Sequence, residues 1–277
     1  MLIRLQLSDR VLGMLRIKRA TRLSELEKTS KEVRKSIFEF KTQSGYGHLA
    51  SCLSIVDVLV SLYFDADSAF DLVHDRVIFS KGHGSPAIYP ILVKLGHIPS
   101  EELTKYCEET GILRLHADYS IPGCLYVGGS LGNAIGFAAG LALARSHQHF
   151  YVVLGDAELQ EGSVWESLLF INHHKLKNMT LIVDRNGFGI TGSTESSLKL
   201  ESLKDKFEAF GFDTLEIDGH NFDSLRGVFS KKPNSPRVVI AQTIKGKGVS
   251  YMEGKYEFHT IIPKDKGLIQ QGLKELS

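Results

Sequence analysis

Asp156 and Asn186 are the residues of this 277-residue chain whose types and spacing most plainly suggest chemistry. Each follows an apolar run. Val152-Val153-Leu154 leads into Gly155-Asp156, and Leu181-Ile182-Val183 leads into Asp184-Arg185-Asn186. The thirty-residue spacing from Asp156 to Asn186 leaves room for a helix that crosses over and returns the chain in parallel. In an open α/β sheet, ligands sit outside the carboxyl ends of the strands. If the two strands are neighbours, both side chains face one point. A carboxylate, an amide oxygen and a backbone carbonyl suit a hard cation such as Mg²⁺, which completes its shell with water and phosphate oxygens. Each residue alone also permits a plainer reading. Asp156 can be a turn residue, and Asn186-Gly187 is a common hairpin-turn signal. His83 stands in Ser-Lys-Gly-His-Gly-Ser, after a strand and before a helix. Gly82 and Gly84 let a backbone approach closely there, and an imidazole at that point can bond a phosphate or line a cofactor. A surface loop histidine is the alternative.

These residues need elements to position them. The apolar pattern predicts strands over 75–80, 150–154, 180–184, 212–218 and 237–244. It predicts helices over 22–41, 53–64, 85–96 (despite Pro90), 130–145, 163–175 and 222–231. Strands alternating with helices imply an α/β fold, a mostly parallel sheet with helices on both faces. Ser163 and Glu166 match the Ser-x-x-Glu signature of a capped helix start. Gly132, Gly136 and Gly140 form a stripe that costs helix stability. It makes sense if another backbone packs closely against it. No repeat, low-complexity stretch or linker is evident, so residues 1–277 read as one domain with a peripheral amino-terminal helix and a carboxyl-terminal tail.

Composition narrows the function classes. The chain is 43% hydrophobic and 23% charged, as an ordinary globular protein is. A net charge of +1 gives nucleic acid no support as a partner. Cys52, Cys107 and Cys124 are odd in number and widely spaced, which argues against a disulfide framework or a zinc site and for a reducing, cytoplasmic compartment. No apolar run reaches membrane-spanning length. The opening MLIRLQLSDRVLGMLRIKRA is a poor signal peptide, and Asp9 argues against a transit peptide.

The segment GDAELQEG (155–162) followed by DRNG (184–187) resembles the thiamine-diphosphate fingerprint, which begins Gly-Asp-Gly and ends in Asn. Four more segments resemble the transketolase family in the same order: SGYGHLASCLS (44–54), DRVIFSKGHGSPAIY (75–89), GGSLGNAIGFAAGLALA (128–144) and AQTIKGKGVSYMEGKYEFH (241–259). The likeness covers roughly 30–260, the amino-terminal half of transketolase, and is greatest to split enzymes in which that half is a separate chain. It implies that Asp156, Asn186 and the Phe188 carbonyl bind Mg²⁺, with Ca²⁺ or Mn²⁺ as substitutes. It implies that His83, Gly129, Ser130, Leu131, Gly155, Ala157, Glu158, Asn186 and His259 contact thiamine diphosphate. His48, His116 and His259 are implied as histidines of the substrate channel, suited to proton transfer. Glu161 is implied as a dimer-contact and proton-relay acid.

Several positions depart from the family pattern. Ala157 replaces a glycine, Asn133-Ala134 a Gln-Gly pair, Ala50-Ser51 a glycine pair, and Phe258 a common tryptophan. The family's activating glutamate lies in a pyrimidine-binding domain, beyond the similar region. A second chain carrying that domain is therefore expected, in an α2β2 assembly acting on a sugar or sugar phosphate. The implied activity is transfer of a two-carbon ketol unit. Deoxyxylulose-phosphate synthase chemistry, 2-oxo-acid dehydrogenase chemistry and a non-catalytic thiamine-diphosphate fold are the other readings.

Overall fold

The structure is a computed structural model that describes residues 19–277. Most of the opening stretch weighed for targeting signals, residues 1–18, lies outside that range. Five strands form one sheet: β1 (Arg76–Phe79), β2 (Phe150–Gly155), β3 (Met179–Arg185), β4 (Asp213–Asp218) and β5 (Arg237–Gln242). Their spatial order is β1-β2-β3-β5-β4, and every pair is parallel. The strands alternate cleanly between two cores. Val77, Phe79, Tyr151, Val153, Ile182, Val239 and Ala241 face one. Ile78, Phe150, Val152, Leu154, Leu181, Val183, Val238 and Ile240 face the other. Burial on both faces explains why β2, β3 and β5 read as nearly unbroken apolar runs.

Helices cover both faces. The first layer contains α1 (Leu23–Ser44), α2 (Leu49–Leu53), α3 (Val56–Phe64), α4 (Tyr89–Lys94) and, later in the chain, the Phe222–Phe229 helix. The second contains α5 (Asn133–Ala144), α6 (Gly162–His173) and the Leu203–Ala209 helix. A further helix spans Lys266–Glu275. Pro90 sits in the first turn of α4, where its missing N–H costs nothing, and a 3-10 turn over Gly82–Ile88 precedes it.

Two local expectations need correction. Helix α6 starts at Gly162 with Glu161 as its N-cap, so Ser163 lies inside the first turn and makes no cap bond. The glycine stripe of α5 meets no second backbone within the described residues. Gly132 is the left-handed residue before the helix, and Gly136 and Gly140 are exposed. A methyl group on Gly136 would meet only Ser167 Oγ, and one on Gly140 would meet nothing within 4 Å.

Candidate active site

The carboxyl ends of four strands converge. The segment after β1 brings Ser80, Lys81 and His83. That after β2 brings Asp156 and Glu158, that after β3 brings Asn186 and Phe188, and that after β5 brings Thr243 and Lys245. Asp184 pairs with Gly155 across β2 and β3, so Asp156 and Asn186 leave neighbouring strands at adjacent points. Asp156 is buried. Its Oδ1 accepts from the Ala157 N–H at 2.8 Å, and its Oδ2 from the Gly187 N–H at 2.6 Å and Arg185 Nη1 at 3.2 Å. Burial and the nearby Asp184 raise its pKa. Asn186 Oδ1 accepts from the Phe188 N–H at 3.2 Å, which closes a local turn. Gly187 at φ 82 and a bridge between Phe188 and Ser193 continue that turn. Asn186-Gly187 is therefore a turn former as well as a member of the constellation.

Below this point lies a buried polar layer. Lys81 pairs with Asp184 and also donates to the Ser51 carbonyl at 2.9 Å. Asp184 further accepts from Ser54 Oγ at 2.6 Å and from Thr243. Burial opposes ionisation of Asp184, but Lys81 and these donors hold its pKa below the ordinary value. Glu158 is a staple between loops. It accepts from Ser80, from the Gly132 N–H at 2.7 Å and from the Gly155 N–H at 3.1 Å. The staple fixes the turn ahead of α5 against the ends of β1 and β2. A second close approach supports it. A Cβ on Gly82 would overlap the Gly128 carbonyl, and one on Gly128 would sit 2.6 Å from Gly82 Cα.

Three histidines stand together. Ring centroids are 5.3 Å apart for His48–His83 and 5.2 Å for both His48–His259 and His83–His259. Burial lowers all three pKa values, to about 4 for His48 and about 3 for His259, and His83 falls well below its usual value. Lys41 adds to the effect at His48, Lys81 at His83 and Lys245 at His259. Lys245 Nζ lies 2.9 Å from His259 Nδ1, and burial with Lys81 nearby lowers its pKa to about 8. An ammonium donor there makes Nδ1 the acceptor and leaves the ring proton on Nε2, an assignment from the hydrogen-bond network. His116 lies beside Gly129, where a methyl group would sit 3.9 Å from its Nδ1, and is near enough to His48 for its charge to act there. Glu161 is exposed beside the Gly132 turn.

Four further residues of this layer, Lys81, Lys245, Asp184 and Arg185, carry little signal in the sequence. The two lysines lie in the segments Ser-Lys-Gly-His and Lys-Gly-Lys-Gly, but a lysine without a visible acid partner reads as a surface charge. Arg185 is largely buried, and besides Asp156 it reaches Thr194 at 2.7 Å, Glu195 at 2.9 Å and Glu201 at 2.7 Å.

Residues 31–271 match the family model described as the thiamine diphosphate binding domain of transketolase. The chain belongs to the transketolase family. Within that family it is 37% identical over 251 residues to one of the subunits of the apulose-4-phosphate transketolase of Phocaeicola vulgatus, covering 86% of this chain and 89% of that one. It is 34% identical to the 6-deoxy-6-sulfo-D-fructose transketolase subunit SqwG of a Clostridium species, covering 86% of this chain and 91% of that one. The crystal structure of Campylobacter jejuni transketolase superposes with a TM-score of 0.79 at 26% identity. It covers 92% of this chain, which spans only 43% of that longer transketolase.

His48 Nδ1 is buried and, among the described residues, has no hydrogen-bond partner. Among the same residues, Lys245 Nζ bonds only to neutral groups, Ser51 Oγ at 3.4 Å and His259. An anion entering here meets positive charge and an open imidazole nitrogen. The oxygen donors of Asp156, Asn186 and Phe188 suit a hard cation that shares phosphate oxygens. Ala157 begins a 3-10 turn and is not among the residues with positive φ, so its methyl group brings no backbone strain. The residues present fit thiamine diphosphate with a divalent cation. Among the described residues, no helix is long and apolar enough to cross a membrane.

Proposed function

We propose that this chain is the diphosphate-binding subunit of a split transketolase, moving a two-carbon ketol unit from a ketose, free or phosphorylated, to an aldose. The observation that carries the reading is the convergence of Asp156, Asn186, His48, His83, His259 and Lys245 at one end of the sheet. When bound, thiamine diphosphate supplies the reactive carbon and the electron sink that ketol transfer needs. The chain's own residues do the rest. Asp156, Asn186 and the Phe188 carbonyl hold Mg²⁺, which anchors the diphosphate. Gly129, Ser130 and Leu131, ahead of α5, present N–H groups to the diphosphate oxygens. Gly155 and Ala157 line its approach, and His83 flanks it. Glu158 serves by fixing that approach. His259 donates from Nε2, and His48 and His116, neutral at pH 7, exchange protons with substrate hydroxyls. Glu161 faces outward, where a partner's relay would meet it.

The working enzyme includes a second chain with the pyrimidine-binding and carboxyl-terminal domains, as two copies of each in the cytoplasm. The relatives' names, which call them subunits, support a second chain. Mixing the two chains with thiamine diphosphate, Mg²⁺ and candidate ketose phosphates tests the reading. Ketol transfer to an aldose that disappears with His259→Ala is expected. Pyruvate decarboxylation without ketol transfer would overturn it.

A further inference from the structure

A second hydrogen-bond chain reaches the site from behind. Arg34 on α1 grips Asp57 on α3 with both Nη atoms, at 2.9 and 2.6 Å, and donates from Nε to the Leu53 carbonyl at 3.2 Å. Asp57 Oδ2 also lies 2.7 Å from Nδ1 of His220, in the turn after β4. The far side of that ring faces a backbone donor: the Ile244 N–H points at His220 Nε2 from 2.9 Å. Since Nε2 accepts, the ring proton sits on Nδ1, which donates a hydrogen bond to the Asp57 carboxylate. Arg34 and His220 hold the Asp57 carboxyl well below the ordinary range against the opposing effect of burial. Ile244 immediately precedes Lys245, whose ammonium touches His259. The flanking residues are pinned too, Thr243 N–H to the Arg185 carbonyl at 3.1 Å and Gly246 N–H to the Ala50 carbonyl at 3.0 Å. Gly246 and Gly248, at φ 77 and 93, take left-handed conformations that turn the chain tightly after Lys245.

We propose that His220 is a positioning residue for the Lys245–His259 pair, its tautomer locked by Arg34 and Asp57 so that Nε2 anchors the Ile244 amide. The consequence for catalysis rests on the transketolase reading, but the anchoring does not. Asp57, Arg34 and His220 make no hydrogen bond to any of the residues assigned above to cofactor or substrate. The device is a support, and its value lies in precision. One missing acceptor lets the base of the loop move, and Lys245 with it. Partners that orient metal ligands through one intermediary change affinity by about 10–100-fold when lost, and a support one step behind Lys245 and His259 is expected to act at the lower end of that range.

Two substitutions separate the acceptor from the donor. In His220→Gln the amide oxygen reaches the place of Nε2. In His220→Asn the shorter side chain reaches only the place of Nδ1. NMR on the whole chain follows hydrogen exchange at the Ile244 amide and the ring resonances of His259, with no cofactor present. Calorimetry of thiamine diphosphate and Mg²⁺, with the partner chain added, reads the effect on binding. The Asn variant should exchange the Ile244 amide about tenfold faster, shift the His259 resonances and bind the cofactor about tenfold more weakly. The Gln variant should restore all three. Unmoved His259 resonances in a folded Asn variant would overturn the inference, as would a folded Gln variant that behaves like Asn. If native chain and partner bind no cofactor, the transketolase reading fails, and the two NMR observables still decide the role of His220.

Discussion

His259 shows how much of the site's behaviour is set by single groups. Burial, with the Lys245 ammonium beside it, lowers its pKa to about 3 from an ordinary value of 6.5. The unfolded chain takes up this proton as pH falls below 6.5, and the folded chain does not. The unfolded state therefore binds more protons, and stability is lost progressively as pH falls from 6.5 toward 3. His259→Asn removes that contribution, so its stability should fall less steeply over this window, as urea denaturation at a series of pH values would show. Parallel curves for the two proteins would contradict the assignment. Asp156 makes a second prediction at this scale. Its carboxylate is the only acid among the three proposed metal donors, so Asp156→Ala should abolish Mg²⁺-dependent binding of thiamine diphosphate in the assembled enzyme, by calorimetry. Unchanged affinity would remove Asp156 from the metal site. Asp156 and Asn186 can be picked out in the sequence because each follows an apolar run, and the end of a buried strand is where a parallel sheet places its ligands. Lys245 and Asp184 cannot, because what makes them unusual is their burial, and burial is a property of the fold.

At the scale of elements, the site depends on how closely two loops can pass. Gly82 and Gly128 lie backbone against backbone, and a methyl group on Gly82 would overlap the Gly128 carbonyl. The neighbour is main chain, close to the turn that the Glu158 staple holds, so it cannot simply rotate away. Gly82→Ala should destabilise the chain by about 3 kcal/mol, measured by denaturant titration. Gly140 is the contrasting case. It lies inside α5 with open space around it, so Gly140→Ala should stabilise the isolated chain by about 1 kcal/mol. A loss of stability would show that something does pack there. The strands are legible in the sequence because both faces of the sheet are buried, which leaves continuous apolar runs. The pairing of β5 between β3 and β4 is not, because apolar strands carry no mark of which neighbour they take. The start of α6 escapes the sequence for a related reason. Ser-x-x-Glu is a local signature, but the Glu161 N–H is already tied to the Glu158 carbonyl at 3.0 Å, and the helix begins directly after that turn, just ahead of Ser163.

The whole molecule presents one end of a parallel sheet as a shelf. It gathers oxygen donors suited to a cation, a glycine-rich turn ahead of α5 and a group of neutral histidines over buried lysines. The chain spans 43% of the Campylobacter jejuni transketolase it resembles in fold, whereas it matches about nine-tenths of its subunit relatives, 89% and 91% of their lengths. The central claim is that this shelf binds thiamine diphosphate through Mg²⁺ and does so productively only against a second chain. The most direct test is calorimetric titration of thiamine diphosphate, with and without Mg²⁺, into this chain alone and into this chain mixed with its partner. The account predicts tight, Mg²⁺-dependent binding in the mixture and weak or no binding to the chain alone. Absence of binding in a mixture whose two chains demonstrably associate would contradict it.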